Sequence, residues 1–394
     1  MSGRSGGLLA SPFRLFFLLA GCQAIAAILI WLGLYLGHGS WGGPLAPVVW
    51  HGHEMLFGYT AAVIAGFILT AAANWTQTEP WSGPALALAG ALWLLGRLAW
   101  IAAPVLPAWL VAAADLPFMP VLAWMLAVPV LATGNRRQLI FIALFAALTA
   151  ANLLIHLEAL GVLRDGGHQG MLLATTLIML YIAVLGGRVI PMFTGNALRA
   201  RGETEGPRQV PMLEKAALLS LALVALVDLV AESGGAAATV ALTAAAVHGL
   251  RLAGWRGSRV LGEPILWVLH LGYGWLVLGL ALKGLAALAP DVIPPTAALH
   301  ALTAGAIGTL TIGIMSRVTL GHTGRPFKAA PLTVAAYWLV TAAALLRVGV
   351  PIFAPGLTVE GMELAIGLWG AAFALFLIGH TGMLTGPRVD GRPG

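Results

Sequence analysis

A run of about 20 apolar residues, repeated down one chain, leaves very few folds available. Leu56–Ala73 and Leu213–Val230 reach that length almost without charge. A helix of about 20 apolar residues crosses a hydrocarbon core of roughly 30 Å, and in lipid only helices and closed barrels satisfy their own backbone hydrogen bonds. With 59% of 394 residues hydrophobic and 9% charged, the chain has too little polar surface to cover a water-soluble fold. The expected class is therefore all-α, a polytopic transmembrane helix bundle forming one integral-membrane domain over residues 1–394. The 50 glycines fit helices that pack closely in a membrane, where small residues let backbones approach.

Turn residues and charge clusters divide the chain into about 12 spans, near 13–36, 52–73, 84–103, 108–131, 138–161, 169–191, 211–231, 236–253, 264–287, 296–319, 330–350 and 360–385. Met1–Ser11 shows no small-residue cleavage site, so the first span is expected to be a permanent helix. The fourth should kink, because Pro117, Pro120 and Pro129 remove backbone donors. Alternating the spans from a cytoplasmic N-terminus puts both termini in the cytoplasm. Seventeen of the 21 basic residues then fall on the inner side, among them Arg4 and Arg14, and Arg97, Arg164, Lys283 and Arg347 fall outside or in the outer half. That bias is what the positive-inside rule requires. The longest loop, about 192–210, carries no recognisable domain, and Gly186 to Thr194 reads as a tight bend.

Several functions are excluded. The net charge of +6 is scattered between apolar spans and forms no single basic face, so nucleic acid is not an expected partner, whereas the lipid bilayer is. A lone cysteine, Cys22, excludes a disulfide framework and a cysteine-held zinc or iron–sulfur site. No phosphate-cradling glycine loop, glycosidase carboxylate pair or Ser/His/Asp arrangement has usable spacing.

Ten histidines in so apolar a chain are the main anomaly, since polar groups inside a membrane are costly. His51 and His53 lie in Trp50-His51-Gly52-His53-Glu54-Met55 at the outer mouth of the second span. Two positions on a helix differ by about 200°, so the two rings cannot share a metal unless the helix start is unwound. His300 opens the tenth span at the same depth, and two imidazoles from two helices can hold haem iron axially. His53 with His300 is the first-choice pair; simple interfacial roles are the alternative. His270 lies well inside the ninth span, as a ligand or as a core histidine bonded to a hydroxyl or carbonyl. His322 sits at the inner mouth beside three basic groups and is either a metal ligand or part of a lipid-facing or loop-ordering cluster; His248 and His380 are expected at interfaces. Arg97 and Asp115 stand at matched depth on neighbouring helices, as a buried ion pair or with Arg97 holding a haem propionate. Glu54 could orient an imidazole, relay protons or cap its helix.

Four segments resemble the NnrS family: His51-Gly52-His53-Glu54-Met55-Leu56-Phe57-Gly58 through Asn74-Trp75-Thr76; Gly187 through Leu198; Leu269-His270-Leu271-Gly272-Tyr273; and His300-Ala301-Leu302-Thr303 through Gly321-His322-Thr323-Gly324-Arg325. Pro12-Phe13-Arg14-Leu15-Phe16-Phe17 is similar to that family's start. The resemblance implies a multi-pass protein of the bacterial inner membrane, with b-type haem and copper as cofactors. It also implies a part in the nitric oxide stress and denitrification response, with nitric oxide as ligand and a quinol or electron-transfer partner. The family's histidines fall on His51, His53, His270, His300 and His322. A looser likeness to the haem–copper oxidase catalytic subunit fails in detail, because there is no adjacent His-His pair and His270 and Tyr273 are three residues apart, not four. Whether the chain turns over nitric oxide stays open at this point. The rival readings are a haem-free secondary transporter and a quinol-linked nitric oxide reductase.

Overall fold

A computed structural model describes residues 7–38 and 41–392; Arg4 and the first part of Met1–Ser11 lie outside the described residues. Twelve helical spans run through them, and no strand occurs among the described residues. They are α1 (Pro12–Tyr35), α2 (Pro47–Thr76), α3 (Gly83–Ile101), α4 (Ala108–Ala132), α5 (Arg136–Ala159), α6 (Gly166–Ala200), α7 (Pro211–Asp228), α8 (Gly235–Ala253), α9 (Pro264–Leu288), α10 (Pro295–His322), α11 (Pro331–Phe353) and α12 (Pro355–Thr385). Eleven are long and apolar enough to cross a membrane. The exception is α7, which was expected to be almost uncharged but carries Glu214, Lys215 and Asp228 within 18 residues.

The chain divides into two compact units. Unit one contains Met1–Ala174, Met315–Phe327 and Phe376–Gly394; unit two contains Thr175–Ile314 and Lys328–Leu375. Phe13, Phe16, Phe17, Trp100 and Phe141 are buried in the first, and Tyr181, Trp255, Tyr273 and Tyr337 in the second. Large aliphatic side chains such as Leu88, Leu131, Leu219 and Leu345 are exposed, the pattern of helices whose outer faces meet lipid.

Prolines shape the spans less than expected, for a reason visible in the hydrogen bonds. A proline inside a helix leaves the carbonyl four residues earlier without its donor. Pro191 frees the carbonyl of Gly187, and Gln209 Nε2 donates to it at 2.6 Å. Pro129 frees that of Met125, and Trp81 Nε1 donates to it at 2.8 Å. α6 therefore runs unbroken to Ala200. This corrects the expected tight bend at Gly186–Thr194 and shortens the expected 192–210 loop. The kink expected of α4 is present as a break at Leu116–Pro117, between helical pieces Ala108–Asp115 and Phe118–Ala132. We expect Gln209→Leu and Trp81→Phe each to cost about 1–3 kcal/mol through the orphaned carbonyl, read as a lower unfolding midpoint in detergent.

Unit two holds a buried polar chain that accounts for two motifs. Arg251 pairs with Glu214 and donates from Nη1 to the Ala183 carbonyl (2.8 Å) and the Tyr273 hydroxyl (2.7 Å). Tyr273 in turn meets His248 Nδ1 at 2.6 Å, and His248 Nε2 donates to the Ala217 carbonyl at 3.1 Å. A Cβ at Gly187 would lie 1.7 Å from Arg251 Nη2, so this glycine admits the guanidinium. His248 is 0% exposed and His380 1%, so both rings are packed between helices.

Candidate metal centre

Two spans carry the same local irregularity beside a histidine. α2 is α-helical over Pro47–His53 and then π-helical over Glu54–Thr60. α10 is α-helical over Pro295–His300 and then π-helical over Ala301–Ile307. A π-helical turn takes an extra residue, changes the direction in which later side chains point, and is frequent at functional sites. A glycine stands five residues after each histidine. A Cβ at Gly58 would lie 2.8 Å from Arg97 Nη1 and 2.9 Å from Gln23 Nε2, and one at Gly305 would lie 2.6 Å from the Trp275 ring.

In unit one the turn delivers His53 and Glu54 into a closed polar network. His53 Nδ1 lies 3.1 Å from Glu54 Oε1; its Nε2 lies 3.1 Å from Asp115 Oδ2 and 3.0 Å from Asn152 Oδ1. His156 Nε2 approaches the same Asp115 oxygen at 2.9 Å, and Asn152 Nδ2 donates to it at 2.8 Å. Arg97 pairs with Asp115 Oδ1 through Nη2 and with Glu54 Oε1 through Nη1 at 3.0 Å, while Gln23 Nε2 donates to Glu54 Oε2 at 2.7 Å. Trp100 covers both imidazoles, with ring centroids 4.5 Å from His53 and 5.2 Å from His156. His53, Glu54, Arg97, Asp115, Asn152 and His156 are all buried.

The break in α4 explains how Asp115 arrives there, since it ends the first helical piece just before Pro117. Asn152 and His156 are one turn apart on α5 and so share a face. One ligand atom each from His53, Asp115 and His156 lies within 4.8 Å of the others, enough for a single metal ion. The charges point the same way. Glu54 and Asp115 carry two negative charges against one from Arg97, and an unbalanced charge at this burial is costly. A proton on an imidazole or a monovalent metal cation would bring the sum to zero.

Across residues 7–388 the chain matches the family model described as NnrS protein. The chain belongs to the NnrS family. No curated protein matches the sequence.

Of the histidines that resemblance to the NnrS family singled out, the structure brings one, His53, into this network. His51 is on the same wound helix and stacks on Trp31 with centroids 4.5 Å apart, so the two rings take different directions as the 200° argument required. His270, in unit two, meets the Thr194 hydroxyl through Nε2 at 2.9 Å, and its Nδ1 has no hydrogen-bond partner. His300, also in unit two, donates from Nδ1 to the Thr296 carbonyl at 2.7 Å, which in the neutral ring makes Nε2 the lone-pair nitrogen. His322 is in unit one beside Phe13 (centroids 5.4 Å apart) and Arg388. Glu54 and Arg97 join the network as expected of an orienting acceptor and a buried ion pair. The sequence reading missed Gln23, Asn152 and His156; the one-turn spacing of the last two on an apolar helix was the available signal.

Each cofactor meets a different fit. His53 Nε2 faces oxygen acceptors, so a metal bound there together with Asp115 and His156 would take the place of its proton; imidazole and carboxylate donors suit one first-row metal ion. His300 has the tautomer of a metal-binding imidazole. We expect Gly58→Ala and Gly96→Ala to disturb the network without altering charge, because a Cβ at 96 would lie 2.8 Å from Asp115 Oδ1. Each should cost about 1–3 kcal/mol as overpacking and lower the metal retained after purification.

Proposed function

We propose that this NnrS-family protein is a metalloprotein of the bacterial inner membrane that carries haem and copper and handles nitric oxide during nitrosative stress. The observation that carries the reading is the buried, charge-deficient centre of His53, Asp115 and His156. Copper is the ion proposed there, held by two imidazoles and a carboxylate, with Arg97 and Asn152 fixing that carboxylate from behind. Haem is assigned to His300, whose Nδ1 is anchored to its own helix. Haem iron with an open position binds nitric oxide, whereas iron held on both faces transfers electrons. Trp100 and Phe57 wall the centre against water, and the π-helical turns set the direction of the groups that follow each histidine.

The test is metal content and spectrum on protein made in cells supplied with haem precursor and copper. Stoichiometric iron porphyrin and copper are expected, with the reduced haem spectrum shifting when nitric oxide is added. Turnover with a quinol donor would place the protein among reductases. Colourless, metal-free protein would overturn the reading, and substrate uptake in proteoliposomes would then mark a transporter.

A further inference from the structure

Unit one also contains a polar cavity, which shares no lining residue with the metal centre. It has a volume of about 340 Å³ and is lined in part by Phe13, Asn74, Gln77, Thr78, His322 and Arg388. These residues lie where α1 begins, where α2 and α10 end, and just beyond α12, which is where chains leave an apolar span.

Its surroundings are cationic. Arg388 closes one side, donating from Nη1 to the His322 carbonyl at 2.7 Å and gripping Asp390 with Nε and Nη2 at 2.9 and 2.6 Å. Arg388 holds the Asp390 carboxyl down at about 2, so that carboxylate is ionised and offsets one positive charge. Arg14, next to the lining Phe13, is 0% exposed, and its Nη1 donates only to the carbonyls of Met383, Leu384 and Gly386, at 3.1, 3.0 and 2.6 Å. Its Nε and Nη2 are buried without a hydrogen-bond partner, as is Nη1 of Arg325. Arg14 is close enough to feel the charge of both Arg388 and Arg325. One guanidinium in the lining, two more behind it with buried donors left over, and a single carboxylate form an arrangement that an added anion stabilises.

We propose that this cavity binds a phosphoryl group, carried by the headgroup of an anionic lipid or supplied as free phosphate. Arginine forks match phosphate oxygens, and Asn74, Gln77 and Thr78 add neutral donors around them. The volume exceeds by several times the roughly 30 Å³ share of a water molecule, room for a headgroup as well as its phosphate. The charge bias of the sequence also assigns this end of the spans to the side where anionic lipid attracts basic segments.

The experiment uses the full chain in nanodiscs of phosphatidylcholine alone or mixed with phosphatidylglycerol, and separately in detergent with inorganic phosphate. Unfolding temperature and lipid retained in native mass spectrometry are recorded for the wild type, Arg388→Gln and Gln77→Ala. Stabilisation by phosphatidylglycerol alone identifies a lipid-borne group; equal stabilisation by inorganic phosphate identifies the free anion. Each variant should weaken the response on the order of tenfold in affinity, the loss of one good hydrogen bond. Gln77→Ala removes no charge, so it keeps the test valid if Arg388→Gln folds poorly. Wild type indifferent to both, or both variants responding like the wild type, overturns the site.

Discussion

Asp115→Ala is expected to empty the metal centre and to destabilise unit one by about 3–5 kcal/mol, the usual cost of breaking a buried ion pair from one side. Asp115 alone meets His53, His156, Asn152 and Arg97. Its loss leaves Arg97 with Glu54 only and removes the one carboxylate among the three candidate ligands. Metal per chain, measured by mass spectrometry after purification, and the unfolding midpoint report the two effects. They can be separated. In the triple variant Glu54→Gln, Arg97→Met, Asp115→Leu the charges vanish together, so most of the stability should return while metal binding does not. Full metal retention in Asp115→Ala would remove the centre from consideration.

His300→Ala should act in the opposite manner, sparing the fold and abolishing the colour. The ring is only partly buried, and its Nδ1 donates to a carbonyl of its own helix. If it is an axial ligand, its removal should reduce porphyrin retained per chain by roughly tenfold or more, with copper and unfolding midpoint near their wild-type values. A variant with undiminished haem absorbance would exclude His300. The contrast with His248 is instructive: both of its nitrogens are bonded in the interior, so truncation there should lower stability first.

The spans were legible because a bilayer imposes a length, and every expected span corresponds to a helix. The Arg97–Asp115 pair was legible from depth, since two residues at similar separations from a turn lie at matched depth on antiparallel helices. The π-helical turns after His53 and His300 were not, because no residue preference marks them as proline or glycine marks a bend. Pro191 misled for a related reason. Its local effect is real, but Gln209, 18 residues further on, supplies the missing donor, and no window of local sequence contains that partner's position. His156 was passed over because nothing on α5 gives it a partner until Asp115 is known to meet it.

The donors supplied by Trp81 and Gln209 have a consequence for anyone altering the connecting segments. Each belongs to a stretch outside the spans yet completes the backbone of one, Trp81 just before α3 serving α4 and Gln209 just before α7 serving α6. These two connectors work as splints, so tags, fusion joints or shortened linkers at 77–82 or 201–210 should weaken a helix the editor never touched.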